Sequence, residues 1–160
     1  MSKITPSDVA GILAEVREDP SLISTINVDE LLSSIENAKN DFLENETSET
    51  IAQNVFDSIK QLRISREILA DHFKKLAGYR LVDELHLLHK GKYVRWIRLD
   101  KPTILNVGGI VVDIKFTNNG TIVLCRLTSG RFIQYRFDQC ITFQKLTDEE
   151  SLILMIYDKV

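Results

Sequence analysis

The hydrophobic period of this chain changes once along its length, and that change restricts the fold more than any other feature. Up to Gly78 the apolar residues recur every three or four positions; from Lys92 they alternate. The first spacing lines one stripe of a helix and the second lines one face of a strand, so the pattern predicts helices followed by an antiparallel sheet, an α+β chain. Four helical stretches are expected. Thr5-Pro6-Ser7-Asp8 supplies a capping hydroxyl, a proline at the first helical position and an acid in the first turn, and Val9, Ile12, Leu13 and Val16 follow until Asp19-Pro20. Asn27 caps a second stretch carrying Leu31, Leu32, Ile35 and Ala38. A third starts near Thr47 with Ile51, Val55, Ile59 and Leu62. After a break around Arg63 to Ser65 a fourth carries Ile68, Leu69, Phe73 and Leu76, with Gly78 placed to end it. Tyr79 to Glu84 is expected to add a helical turn leading into the sheet.

The second half reads as short strands between glycine turns. Tyr93 to Leu99 sets Tyr93, Arg95, Ile97 and Leu99 on one side and Val94, Trp96 and Arg98 on the other. In Ile110 to Phe116 the residues Ile110, Val112, Ile114 and Phe116 are expected inside. Asn119-Gly120 reads as a two-residue hairpin turn, whose central positions take positive φ. That register sets Phe116 opposite Val123, Ile114 opposite Cys125, and Asp113 opposite Arg126 as a cross-strand ion pair. At Thr128-Ser129-Gly130 a three-residue loop with Gly130 left-handed is expected, because it puts Ile133, Tyr135 and Phe137 inside and leaves Phe132 outside. Asp138-Gln139 makes a tight corner, and Cys140 to Leu146 ends the sheet with Ile141 and Phe143 inward. Five antiparallel strands joined in this way describe a small, partly open barrel of the SH3-like kind. The tail from Thr147 fits a short capped helix or a returning strand. The expected organisation is a helical region over 1–78 and a barrel over 79–160 with its lead-in helix and tail. No Gly/Ser/Pro-rich linker separates them, so a fragment from Tyr79 is expected to fold and one from Gly91 is not.

Charge divides at the same place as the period. Residues 1–78 hold 8 Lys/Arg against 14 Asp/Glu, net -6, whereas residues 90–146 hold 10 against 3, net +7. A basic barrel can face an anionic partner or the acidic half of its own chain. Cys125 and Cys140 sit in apolar strands outside any metal-ligand spacing, as expected of buried thiols in a reducing compartment. No segment has the pattern of a signal peptide or of a membrane span, so a soluble intracellular protein without membrane contact is expected.

Nothing in the sequence assembles a catalytic centre. His86 and His89 lack the further ligands of a zinc site, and His72 is expected in solvent on a polar helix face. Gly108-Gly109 lacks the remainder of a phosphate loop, no nucleophile elbow is present, and Asp148-Glu149 suit the first turn of a helix. The chain is therefore expected to be no enzyme and to use no cofactor or metal.

Leu88-x-x-Gly91-x-x-Val94 is similar to the first strand of SH3-like, Tudor-like and KOW-type barrels. Tyr79-Arg80-Leu81-Val82-Asp83-Glu84-Leu85, Gly91-Lys92-Tyr93-Val94-Arg95-Trp96-Ile97, Gly108-Gly109-Ile110 and Phe143-Gln144-Lys145-Leu146 resemble a family of uncharacterised proteins from giant nucleocytoplasmic large DNA viruses, over about half the chain. The resemblance implies a viral protein made in a host cell, in the host cytoplasm or packaged in the virion. It brings no catalytic motif.

Two functions follow as expectations. The first is a non-enzymatic protein-interaction or adaptor module, in viral assembly or on the virion, that binds a protein partner through Phe132, Tyr93, Trp96 and Tyr135. Phe132 is foremost because it faces outward, while Trp96 also suits the core. The alternative is a nucleic-acid-binding barrel of the transcription, translation or packaging machinery, with Lys90, Lys92, Arg98, Lys101, Arg131 and Arg136 on phosphates.

Overall fold

The computed structural model describes Ser33 and residues 42–159. The stretches expected to be helical over 7–19 and, apart from Ser33, over 27–38 lie outside the described residues. The chain divides into two units, one running from Ile51 to Lys145 and one to which residues 42–50 and 146–159 belong.

The larger unit begins with two helices. Helix α1 (Ser48–Lys60), which starts in the other unit, turns Ile51, Val55 and Ile59 inward at i, i+4, i+8 spacing. Helix α2 (Arg66–Lys75) starts where the sequence breaks, because the Ser65 hydroxyl accepts a hydrogen bond from the Ile68 N–H at 3.3 Å and satisfies one of the free donors of its first turn. His72 is buried and not in solvent. Its Nε2 lies 3.0 Å from the Pro102 carbonyl oxygen, which can only accept, so the ring donates there and ties α2 to the loop that follows Arg98.

Six antiparallel strands follow: β1 (Tyr79–Val82), β2 (Tyr93–Arg98), β3 (Gly109–Thr117), β4 (Gly120–Arg126), β5 (Phe132–Arg136) and β6 (Cys140–Lys145). They form one open sheet in the order β1-β6-β2-β3-β4-β5. The sheet thus has one strand more than expected. Residues 79–82 are strand and not helix, because Gly78 reverses the chain at φ 83° and the alternation of Tyr79, Arg80, Leu81 and Val82 then matches the two faces of β6. Short 3-10 turns at Leu85–Leu87 and Phe137–Gln139 make the corners before β2 and β6.

Two cores lie on opposite faces of the sheet. On the inner face Val82, Val94, Trp96, Val111, Val123, Cys125 and Tyr135 meet. The sheet curls far enough for the rings of Trp96 on β2 and Tyr135 on β5 to stack with centroids 4.2 Å apart, and Tyr135 Oη reaches Thr142 Oγ1 on β6 at 3.0 Å. On the outer face Ile97 and Phe143 pack with Val55, Ile59 and Leu76 of the helical segment. Ile141 and Phe143 therefore point at the helices and not into the curl, where Thr142 and Gln144 of the same strand are buried instead. Full burial of side chains of this size stabilises by about 1.5–3 kcal/mol each, so α1 and α2 are part of this unit's core although they precede Gly78.

The loop of the first hairpin lies one residue earlier than expected, which moves the strand pairing by two residues. Asn118 and Asn119 form the loop, Thr117 pairs with Gly120, and Phe116 pairs with Thr121. The Thr117 hydroxyl accepts from the Asn119 N–H and donates to the Gly120 carbonyl, and the positive φ of 115° falls on Gly120, the residue that tolerates it. A bulge at Val112 then resets the strand, so that Val111 and Ile114, three positions apart, both reach the inner core. Phe116 lies at the protruding tip, 76% exposed, and Ile110 faces out. Asp113 stands opposite Leu124 and pairs with Lys90 at 3.4 Å, so the expected pair with Arg126 does not form. The second hairpin is as expected: Leu127 N–H bonds to Arg131 O, Gly130 has φ 87°, and Ile133 and Tyr135 turn inward.

In the other unit the tail is a helix, α3 (Asp148–Lys159). Thr147 and Glu150 cap it reciprocally: the Glu150 N–H donates to Thr147 Oγ1 at 3.1 Å, and the Thr147 N–H donates to Glu150 Oε1 at 2.9 Å. Asp158 accepts from both the N–H and the hydroxyl of Ser48, at 2.9 and 2.7 Å.

Candidate partner-binding face

Residues directly opposite one another in a sheet share a face, so the ladders alone define the surface. Tyr93 pairs with Ile110, Ile110 with Arg126, and Arg126 with Phe132. These four side chains form one row across β2, β3, β4 and β5 on the outer face, about 14 Å long at the usual strand spacing. Phe132 is 64% and Ile110 44% exposed, with Arg126 exposed between them. The following rows on the same face are Asp113, Leu124, Gln134 and then Lys115, Ile122, Arg136.

The loop over 99–108 borders this face. Tyr93 Oη donates to Val107 O at 2.6 Å and Arg95 Nε to Asn106 O at 2.9 Å, while Leu105 packs into the helical core. Exposed Val107 thereby stands next to Tyr93. Glycine is required where the loop enters β3: a Cβ on Gly108 would run into the Val94 carbonyl, and one on Gly109 would lie 2.8 Å from the Arg126 carbonyl. Gly108-Gly109 is thus a close backbone crossing.

The four expected partner-binding aromatics divide by parity. Tyr93 and Phe132 lie in the exposed row. Trp96 (2% exposed) and Tyr135 (6%) are stacked on each other in the inner core and do not belong to that surface, because each sits an odd number of residues from its outward neighbour on the same strand. Sequence reasoning missed Ile110 and Arg126 as members of the row. Arg126 was already expected on the outer face, opposite Asp113; Ile110 joins it there because the bulge at Val112 reverses the alternation of the residues before it, which the apolar run Ile110-Val111-Val112 does not reveal.

The expected phosphate-binding cations are spread over the turn before β2, β2 itself, the loop after it, the β4–β5 loop and β5. Lys90 is held by Asp113, and Arg98 is clamped by Asp100 through Nε and Nη2 at 3.0 and 2.8 Å. Lys92 is half-buried. Lys101, Arg131 and Arg136 are exposed and have no ion pair among the described residues. Arg98 and Lys101 line a cleft of about 200 Å³ with Trp96, Ile104 and Asn106. Arg131 directly precedes β5 and Arg136 is its last residue.

No group of three or more His, Cys, Asp or Glu among the described residues could hold a metal ion. His86 lies on the 3-10 turn beside Glu84 at 3.3 Å, and the His89 N–H donates to the Gln144 side chain. Burial pushes the Cys125 thiol up to about 12 and the Cys140 thiol up to about 11, which leaves both protonated near neutral pH and poor as nucleophiles. No described helix is long and apolar enough to cross a membrane. Comparison with family models, with curated proteins and with solved structures gives no match, so no relative assigns a role to any residue.

Proposed function

We propose that this chain is a non-catalytic protein-interaction module of the adaptor kind, built on an SH3-like scaffold. The order β6-β2-β3-β4-β5, with a 3-10 corner before β6, supports the scaffold. The row Tyr93–Ile110–Arg126–Phe132 carries the functional reading. Aromatic, aliphatic and arginine side chains side by side on a rigid sheet are the composition of interface hot spots, and the fold gives Phe132 and Ile110 no internal use. The test is affinity capture from the native source with the wild type and with Phe132→Ala and Ile110→Ala. Loss of bound protein with unchanged thermal unfolding is expected; capture that survives both substitutions overturns the assignment.

A nucleic-acid-binding barrel is the second reading, favoured by the exposure of Lys101, Arg131 and Arg136. It requires affinity for oligonucleotides that falls with salt at a slope of roughly -0.7 per phosphate neutralised on a single strand. Absence of micromolar binding at low salt removes it.

A further inference from the structure

Strand β5 is the last in the sheet, and its backbone shows which groups remain unused among the described residues. Leu127 and Arg131 are directly opposite and hydrogen-bonded, so the pairs at alternate positions, Cys125 with Ile133 and Val123 with Tyr135, are the bonded ones. The N–H and C=O groups of Phe132, Gln134 and Arg136 therefore point away from β4, toward the open edge. Their side chains are the ones on the exposed outer face. From Arg126 to Phe137 the chain carries three arginines and no carboxylate, and the nearest acid, Asp138, has its carboxylate turned to Gly120 at the other hairpin.

We infer that the edge of β5 takes up an extended, acidic segment of a protein partner as a seventh strand. The idea rests on the interaction-module reading above and names its mode. An added strand would satisfy the outward backbone groups of Phe132, Gln134 and Arg136, lay an apolar side chain beside Phe132, and set carboxylates near Arg131 and Arg136. The same two arginines oppose edge-to-edge pairing of two copies of this chain, since like charges would meet. An acidic strand removes that repulsion.

The test uses the full chain, isotope-labelled, with the blocked synthetic peptide Glu-Val-Thr-Thr-Val-Glu, which in either strand direction sets valine beside Phe132 and glutamate beside Arg131 and Arg136. Binding should slow amide exchange at Phe132, Gln134 and Arg136 and leave Ile133 and Tyr135, already bonded to β4, unchanged. The double variant Arg131→Glu, Arg136→Glu should weaken binding roughly tenfold at low salt. N-methylation of alternate peptide residues should abolish it while leaving the protein intact. Peptide binding without that alternating protection overturns the edge mode and leaves docking on the face standing. Preference for the lysine-for-glutamate peptide or for oligothymidylate, or protection that grows with protein concentration alone, overturns the acidic partner.

Discussion

The outer face of the sheet has two halves that began with the same kind of sequence and ended in different use. Over β1, β6 and the end of β2, it presents Leu81, Ile141, Phe143 and Ile97, and helices α1 and α2 cover them. Over β3, β4 and β5 it presents Ile110, Leu124, Ile122 and Phe132 interleaved with Arg126, Lys115 and Arg136. Local alternation is equally good in both. What separates them is the cations: a helix laid on the second half would have to desolvate three charges without ion-pair partners, whereas the cation beside Phe143 in the first half, Arg95, already donates to the Asn106 carbonyl at 2.9 Å. A face whose charges are satisfied within the fold becomes core, and one whose charges are not stays open.

The largest expected effect comes from stripping the covered half. Removing residues 1–78 exposes Ile97, Phe143, Leu81 and Ile141 together, and at about 1.5–3 kcal/mol each that loss matches the whole stability of a domain, roughly 5–15 kcal/mol. Contrary to the expectation from sequence that it would fold, the fragment from Tyr79 should lack a cooperative thermal transition, because Val55, Ile59 and Leu76 complete its core; a sharp transition near that of the full chain would show that the helices are an appendage. Within the intact chain, the two halves can be compared at one residue each. Phe143→Ala should cost about 3–5 kcal/mol in urea unfolding and Phe132→Ala less than about 0.5 kcal/mol, so equal costs would erase the distinction.

The sequence made much of this legible because period and parity survive any tertiary detail. The helices at 48–60 and 66–75, the β4–β5 loop at Gly130 and the outward Phe132 all follow from spacing alone. Two things did not follow. The strand at 79–82 shows only four residues, too few to separate period two from a helical turn, and its partner β6 is more than 50 residues away. The β3 alternation reverses at the Val112 bulge and turns Ile110 outward beside Arg126, whereas the displaced loop moves the pairing by two residues and leaves Ile114, Phe116, Val123 and Cys125 on their expected face. The bulge left no mark in the sequence, because Ile110, Val111 and Val112 are all apolar and fit either alternation.

A smaller effect tests the curl that leaves the outer face convex. Tyr135→Phe removes the partner of the buried Thr142 hydroxyl and should cost about 1–2 kcal/mol. Adding Thr142→Val should recover part of it, because the unpaired polar atom is then gone; a fully additive pair would mean that the two side chains do not interact.

The smallest effect concerns the one carboxylate on the bare half. Asp113 accepts from the Ile114 N–H at 2.9 Å and faces Lys90, and these two neighbours hold its carboxyl below the ordinary aspartate range. A depressed native value means that the ionised form is favoured by folding. Its contribution is present above the unfolded value, about 3.9, and disappears as pH falls through the lower native one. Wild type and Asp113→Asn should therefore differ in urea midpoint at pH 7 and converge in strong acid, whereas a gap that persists unchanged would assign the difference to packing at the bulge. The same substitution removes the only carboxylate of β3, β4 and β5, whose outer face carries Lys115, Arg126 and Arg136, so it should tighten binding of an acidic peptide at low salt as it loosens the fold. Stability and affinity moving in opposite directions at Asp113, and in neither direction at Phe143-side surface positions such as Lys145, is what an open, charge-selected face requires.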